Sequence, residues 1–216
     1  MHLNSKLLFK KYAIEHFKDN QSVLEIGPTG YPSYYSQLVN MPSLKWHTLD
    51  IGETYIGQGH VNPSHIVSQE EYHYPVDDGA FDIVLSGQVM EHVRNIWRWV
   101  DELKRITRDN GLIIIISPVS WSYHEAPVDC WRIYPEGMKA LMEEKGLRII
   151  ECCFESLEKD FFSSRVKTRP GNSILNLEGE RSFSWKLIEL SHSMPLLNKF
   201  CRRVPVSFDN ICVCRK

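Results

Sequence analysis

The run Leu112-Ile113-Ile114-Ile115-Ile116-Ser117 limits what this chain can fold into more than any other feature of it. A strand that is apolar at every position has no side to give to water, so it must lie in a sheet covered on both faces. Ser22 to Ile26, Trp46 to Ile51, His65 to Ser68, Phe81 to Ser86 and Leu147 to Phe154 are further short runs of strand type. Helical patterns stand between them. Leu7, Leu8, Tyr12, Ile14 and Phe17 form a leading stripe. Val93, Ile96, Trp97, Val100, Leu103 and Ile106 repeat at helical spacing within Val89 to Arg108, with Asn110-Gly111 as the expected C-cap. Pro135 to Gly146 gives another helix. Strands alternating with helices from residue 20 to 155 predict an α/β fold with a doubly wound, mainly parallel sheet, whose ligands bind at the carboxyl ends of the strands. Phe208 to Cys214 alternates as a last strand, expected to be antiparallel.

At 216 residues the chain suits one core with an appendage rather than two full domains. Residues 1–216 therefore read as a single domain: a leading helix over 1–20, a core over 21–158, an insertion or cap over 159–205 and a final strand over 206–216. Composition is ordinary for a globular protein, and a net charge of -2 gives no electrostatic reason to expect a nucleic-acid partner. Met1 to Lys11 lacks the pattern of a signal peptide. No apolar run approaches the roughly 18 residues of a membrane helix, so no integral membrane segment is expected. Cys130, Cys152, Cys153, Cys201, Cys212 and Cys214 match no zinc or redox spacing and fit reduced thiols in a cytoplasm. Nothing in the pattern specifies an oligomeric state. In the least informative stretch, Asp160 to Pro205, Trp185, Leu187, Ile188, Leu190, Leu196, Leu197 and Phe200 precede Arg202-Arg203. They suit a membrane surface, a partner subunit or, more plainly, the chain's own core.

The first strand runs into Glu25-Ile26-Gly27-Pro28-Thr29-Gly30, where two glycines let backbone approach a ligand at the start of the next helix. A glycine there also serves ordinary tight turns. Asp50 ends the second strand roughly 20 residues further on, where an acidic residue accepts hydrogen bonds from a ribose in nucleotide-binding sheets. A dinucleotide fingerprint asks for glycine where Thr29 and Pro32 stand, which weighs against a nicotinamide or flavin cofactor.

The ordered set Val-Leu-Glu-Ile-Gly-Pro-Thr-Gly (23–30), Asp50, Tyr-Pro-Val-Asp-Asp-Gly-Ala-Phe-Asp-Ile-Val-Leu-Ser (74–86), Gln-Val-Met-Glu-His-Val (88–93) and Arg-Asp-Asn-Gly-Leu-Ile-Ile-Ile-Ile-Ser-Pro (108–118) resembles the class I S-adenosylmethionine-dependent methyltransferases, in particular the small-molecule group called methyltransferase type 11. The resemblance spans Ser22 to Phe154. It implies S-adenosylmethionine as cofactor and S-adenosylhomocysteine as product. It implies that Glu25, Gly27, Pro28 and Gly30 shape the methionine pocket and that Asp50, with Ile51 beside it, takes the ribose hydroxyls. Glu70-Glu71 would lie near the adenine amine, and Ser86, Gly87, Gln88 and His92 would line the pocket after the fourth strand. The loop, Gly27-Pro28-Thr29-Gly30-Tyr31-Pro32, is one residue short of the family's usual glycine pattern. Plainer alternatives stand beside these roles: a solvated strand end for Glu25, a turn for Asp50, a surface pair for Glu70-Glu71, and a helix start for His92.

After the fifth strand, Ser117 to Pro135 is rich in groups that bind or titrate. His124 is the candidate general base for an acceptor hydroxyl, because imidazole titrates near neutral pH. Asp129 is expected to orient it or bind the acceptor, and Trp121, Tyr123, Trp131 and Arg132 to form the acceptor surface. The alternative is a rigid aromatic loop in which Asp129 and Arg132 pair with one another. No histidine pair has ligand spacing, so no metal site is expected; His124, Glu125 and Asp129 are the one local cluster to test. The expected function is methyl transfer to a small-molecule acceptor, a hydroxyl of a sugar or natural product. The rival is a non-catalytic S-adenosylmethionine-binding regulatory or scaffold subunit.

Overall fold

The structure is a computed structural model that describes residues 3–51, 64–125, 127–157 and 208–216. The expected insertion over 159–205, with its apolar set and Cys201, lies outside the described residues. The elements are α1 (Leu3–Tyr12), β1 (Ser22–Ile26), α2 (Tyr34–Val39), β2 (Lys45–Ile51), β3 (His65–Ser68), β4 (Phe81–Gly87), α3 (Ile96–Ile106), β5 (Thr107–Pro118), α4 (Pro135–Glu144), β6 (Arg148–Glu155) and β7 (Asp209–Arg215). The strands form one sheet in the order β3-β2-β1-β4-β5-β7-β6. Among the described strands only β7 runs against its neighbours, pairing antiparallel with both β5 and β6. The order reverses between β1 and β4, which opens a crevice at their carboxyl ends.

The isoleucine run shows why the sheet needs two covers. Ile113 and Ile115 enter one core layer with Trp99, Val100 and Leu103 of α3 and Met138, Leu141 and Met142 of α4. Ile114 and Ile116 enter the opposite layer with Leu8 and Phe9 of α1 and Tyr35 of α2. Successive side chains of a strand point to opposite faces, so every residue of the run is consumed by burial. Trp99, fully buried, also donates its indole N–H to the Tyr74 hydroxyl at 2.8 Å. Truncation to alanine there costs about 3–5 kcal/mol.

Three boundaries differ from the sequence expectation. The leading helix lies earlier, at Leu3–Tyr12, with a separate 3-10 turn at Ile14–His16. The single helix expected over Val89 to Arg108 is divided: Met90–His92 forms one 3-10 turn, Val93 is extended, and α3 begins at Ile96, where the Asn95 side chain caps the Arg98 N–H. A local cap thus overrides apolar periodicity, and Trp99 is the buried tryptophan while Trp97 faces outward. Asn110-Gly111 is not the C-cap. Thr107 closes α3, its hydroxyl donating to the Leu103 carbonyl, and the chain passes into β5 with Asn110 at φ 64°.

Candidate active site

Gly27 sits at the end of β1 with φ +67°, its N–H donating to the Leu49 carbonyl at 2.9 Å. The left-handed turn lifts the chain away from the sheet, and Ser33 then caps α2 by accepting from the Ser36 N–H. A cleft of about 600 Å³ opens over this point, within the usual range for small-ligand sites. Gly27, Asp50, Ile51, Glu71, Gln88 and His92 line it together with Val89, Tyr74 and Pro127.

The structure thus gathers six of the expected cofactor residues and separates the others. Glu25 is buried beneath the loop, where its carboxylate accepts from the Ser33 hydroxyl and from the Trp46 indole N–H at 3.0 Å. Burial pushes its carboxyl up to about 7, against those two hydrogen bonds. Ser86 and Gly87 are likewise buried behind the wall, and a Cβ on Gly87 would fall 2.2 Å from the Tyr35 hydroxyl. Pro28 and Gly30 are not on the cleft lining, and Gly30 is exposed. Glu70 also lies off the lining; its backbone engages the Ser68 hydroxyl. Glu71 takes its place at the wall, accepting from the Arg94 N–H at 3.2 Å. Burial raises the Asp50 carboxyl, opposed by the Ile51 N–H and His65.

Gln88 adopts φ 61°, unusual for a side chain of its size. Its amide donates to Ser5 Oγ at 2.8 Å and Asp209 Oδ1 at 3.1 Å, while its buried Oε1 has no partner among the described residues. Asp209 also accepts from Asn4 Nδ2 at 2.8 Å, so α1 and β7 brace the cleft floor through one polar network. Sequence reasoning missed this network, whose members lie at opposite ends of the chain.

The loop after β5 is pinned onto the 3-10 turn after β4. The Cys130 N–H donates to the Glu91 carbonyl at 2.7 Å, the Trp131 indole to the Val93 carbonyl at 2.7 Å, and His92 Nδ1 lies 2.6 Å from the Val128 carbonyl. Trp131 therefore serves packing, edge-on to Trp97, rather than an open acceptor face. Asp129 accepts both terminal nitrogens of Arg132, at 2.5 and 2.7 Å, and the His124 N–H at 2.7 Å. These bonds, chiefly those of Arg132, hold its carboxyl down at about 2. Asp129 and Arg132 thus build the loop, as the plainer alternative has it, and Asp129 positions His124 through the backbone. The His124 ring comes to rest against His92, with centroids 5.0 Å apart. Tyr123 is exposed, its hydroxyl donating to Glu125 Oε1 at 2.6 Å.

Glu91 was unmarked by sequence reasoning, because a continuous helix would have placed it on a solvated face. The 3-10 turn instead buries it completely, with neither carboxylate oxygen hydrogen-bonded among the described residues.

Comparison with known proteins agrees with this architecture. Residues 24–115 match the family described as "Methyltransferase domain". An uncharacterized methyltransferase of Mycolicibacterium gilvum is 32% identical over 100 residues, 44% of this chain and 38% of that protein. One from Mycobacterium sp. (strain KMS) is 28% identical over 48% of this chain and 41% of its own. This chain thus matches about two fifths of the length of these curated relatives. Among solved structures, a SAM-dependent methyltransferase from Archaeoglobus fulgidus superposes with a TM-score of 0.61 at 18% identity, covering 98% of this chain and 92% of that one. Phosphoethanolamine N-methyltransferase 2 of Haemonchus contortus, solved with S-adenosyl-L-methionine, gives 0.54 at 12% identity, covering 99% and 52%. At such identities the likeness shows a shared fold.

Proposed function

Residues 24–115 match the family described as "Methyltransferase domain" and the fold is that of S-adenosylmethionine-dependent methyltransferases; we propose that this protein is such an enzyme and transfers a methyl group to a hydroxyl of a small molecule. The observation that carries the reading is the convergence of Gly27, Asp50, Glu71, Gln88 and His92 on one cleft at the point where the strand order reverses.

The lining fits the cofactor. Asp50 offers a carboxylate at a strand end to the ribose hydroxyls, and Glu71 offers one toward the adenine amine. Gly27 presents backbone without a side chain, and Oε1 of Gln88, which has no partner among the described residues, is an acceptor for the ammonium of the methionine end. When bound, S-adenosylmethionine supplies a sulfonium methyl group open to in-line displacement. The protein's part is then to hold the acceptor in line and to dispose of its proton. The loop after β5, stiffened by the Asp129–Arg132 pair, sets His124 against His92 of the cleft wall. The His124 ring is the group assigned to receive the hydroxyl's proton.

The test is a screen with isotopically labelled donor against sugar hydroxyls, phenols, amines and carboxylates. Label on a hydroxyl acceptor, with His124→Ala retaining S-adenosylhomocysteine affinity but losing about 100-fold in turnover, supports the reading. Label on amines alone refutes the acceptor class. S-adenosylhomocysteine binding with no turnover on any acceptor favours a scaffold subunit.

A further inference from the structure

We infer that Glu91, His92 and His124 form a binding site for one divalent first-row transition-metal ion at the edge of the cleft. The inference rests on the hydroxyl reading only for the ion's use, not for its binding. One carboxylate oxygen and one imidazole nitrogen from each ring lie within 4.8 Å of one another. Around a tetrahedral ion with bonds of about 2.1 Å, donors stand roughly 3.4 Å apart. His92 Nε2 and Glu91 Oε1 are already at 3.8 Å.

Two independent observations point to a cation here. The first is Glu91 itself, a fully buried carboxyl whose two oxygens have no hydrogen-bond partner among the described residues. A buried acid without partners is costly unless something satisfies it, and a metal ion supplies both charge and coordination. The neighbouring guanidinium does not fill this role, since Arg132 spends both terminal nitrogens on Asp129.

The second is the setting of the two rings. His92 Nδ1 faces the Val128 carbonyl at 2.6 Å, and His124 Nδ1 faces the Ser122 carbonyl at 3.1 Å. A carbonyl only accepts, so Nδ1 is the donor in each contact, and in a neutral ring so held Nε2 keeps its lone pair. Metal-binding histidines are held in this way, with the second ring N–H donated to a carbonyl or carboxylate. Glu125 and Asp129, the acids that sequence proximity suggests, are committed instead to Tyr123 and Arg132.

One carboxylate and two imidazoles suit zinc and neighbouring divalent ions, and three protein ligands leave a position open. His92 also lines the cleft, so the open position borders the space assigned to the acceptor. A hydroxyl oxygen bound there loses its proton to solvent more readily, and the ion takes over the task given to His124 in the metal-free protein.

The experiment is calorimetric titration of the chelator-stripped, full-length protein with Zn²⁺, and with Co²⁺ followed by its visible absorption. The expected result is one equivalent bound, with a tetrahedral or five-coordinate Co²⁺ spectrum, and at least a tenfold loss of affinity in His124→Ala and in Glu91→Gln. His124 lies on a partly exposed loop, so its replacement keeps the test valid if the buried Glu91 variant fails to fold. No stoichiometric binding, or equal affinity in wild type and His124→Ala, overturns the inference. S-adenosylhomocysteine titration of the same stripped protein separates the two ideas: cofactor binding without metal binding removes this site alone, and the reverse removes the methyltransferase reading.

Discussion

Replacing Gly27 with alanine tests the turn on which the cleft is built. The residue holds φ +67°, and a side chain in that region costs about 1–2 kcal/mol. The added Cβ would also stand 2.3 Å from Val89 Cγ2, a contact that requires Val89 or the loop to move. Overpacking of this kind costs about 1–3 kcal/mol. Gly27→Ala should therefore lose about 2–5 kcal/mol of stability. Removing the obstructing methyl groups with Val89→Ala should return the steric part of that loss and leave the backbone part. Urea unfolding of the wild type, both single variants and the double variant closes the cycle. The expected coupling is favourable and at least about 1 kcal/mol. Losses that add to within about 0.5 kcal/mol would refute the packing of Val89 over the turn. Gly27→Val would load the fold as well as the cofactor space, because its Cβ meets the same Val89 contact.

Asp50→Ala should weaken S-adenosylhomocysteine binding by about 1–3 kcal/mol, because the ribose hydroxyls lose their acceptor; calorimetry that finds unchanged affinity in the folded variant removes the ribose assignment. Glu25 makes stability depend on pH. Its folded-state value of about 7 lies above the ordinary 4.5, so its contribution is whole below pH 4.5 and is lost as pH rises through about 7. That difference corresponds to about 3 kcal/mol between pH 4 and 8. Glu25→Gln should show a shallower decline than wild type over that range in denaturant unfolding, and parallel curves would contradict it. Arg132→Gln should release the Asp129 carboxylate and loosen the loop, raising backbone amide exchange over residues 119–134 while leaving cofactor affinity in place; unchanged exchange would show that the ion pair does not hold the loop.

What the sequence discloses here follows from how locally each feature is encoded. The strands are readable because burial on both faces leaves its mark on every residue, as in Ile113 to Ile116, and the expected bounds of β3 coincide with those observed. Glycine at a strand end and an acid at the next strand end are likewise local marks, and Gly27 and Asp50 meet in the cleft. The turn after β4 was not legible, because the apolar rhythm of α3 continues through it in the sequence and only the Asn95 cap interrupts it. That error concealed Glu91. The pairing of His92 with His124 was hidden for another reason: a loop fastened by three backbone carbonyls brings them together, and carbonyls leave no signature in the sequence. Adjacent acids were over-read for the same cause. Glu70 and Glu71 are neighbours in the chain, yet only Glu71 borders the cleft.

The most direct measurement of the central claim is a calorimetric titration of the purified protein with S-adenosylmethionine, S-adenosylhomocysteine and NADH in parallel. The account predicts saturable binding of the first two at one site per chain, weakened together by Asp50→Ala, and no binding of NADH. Absence of binding by both adenosyl ligands, or equal binding of NADH, would contradict it.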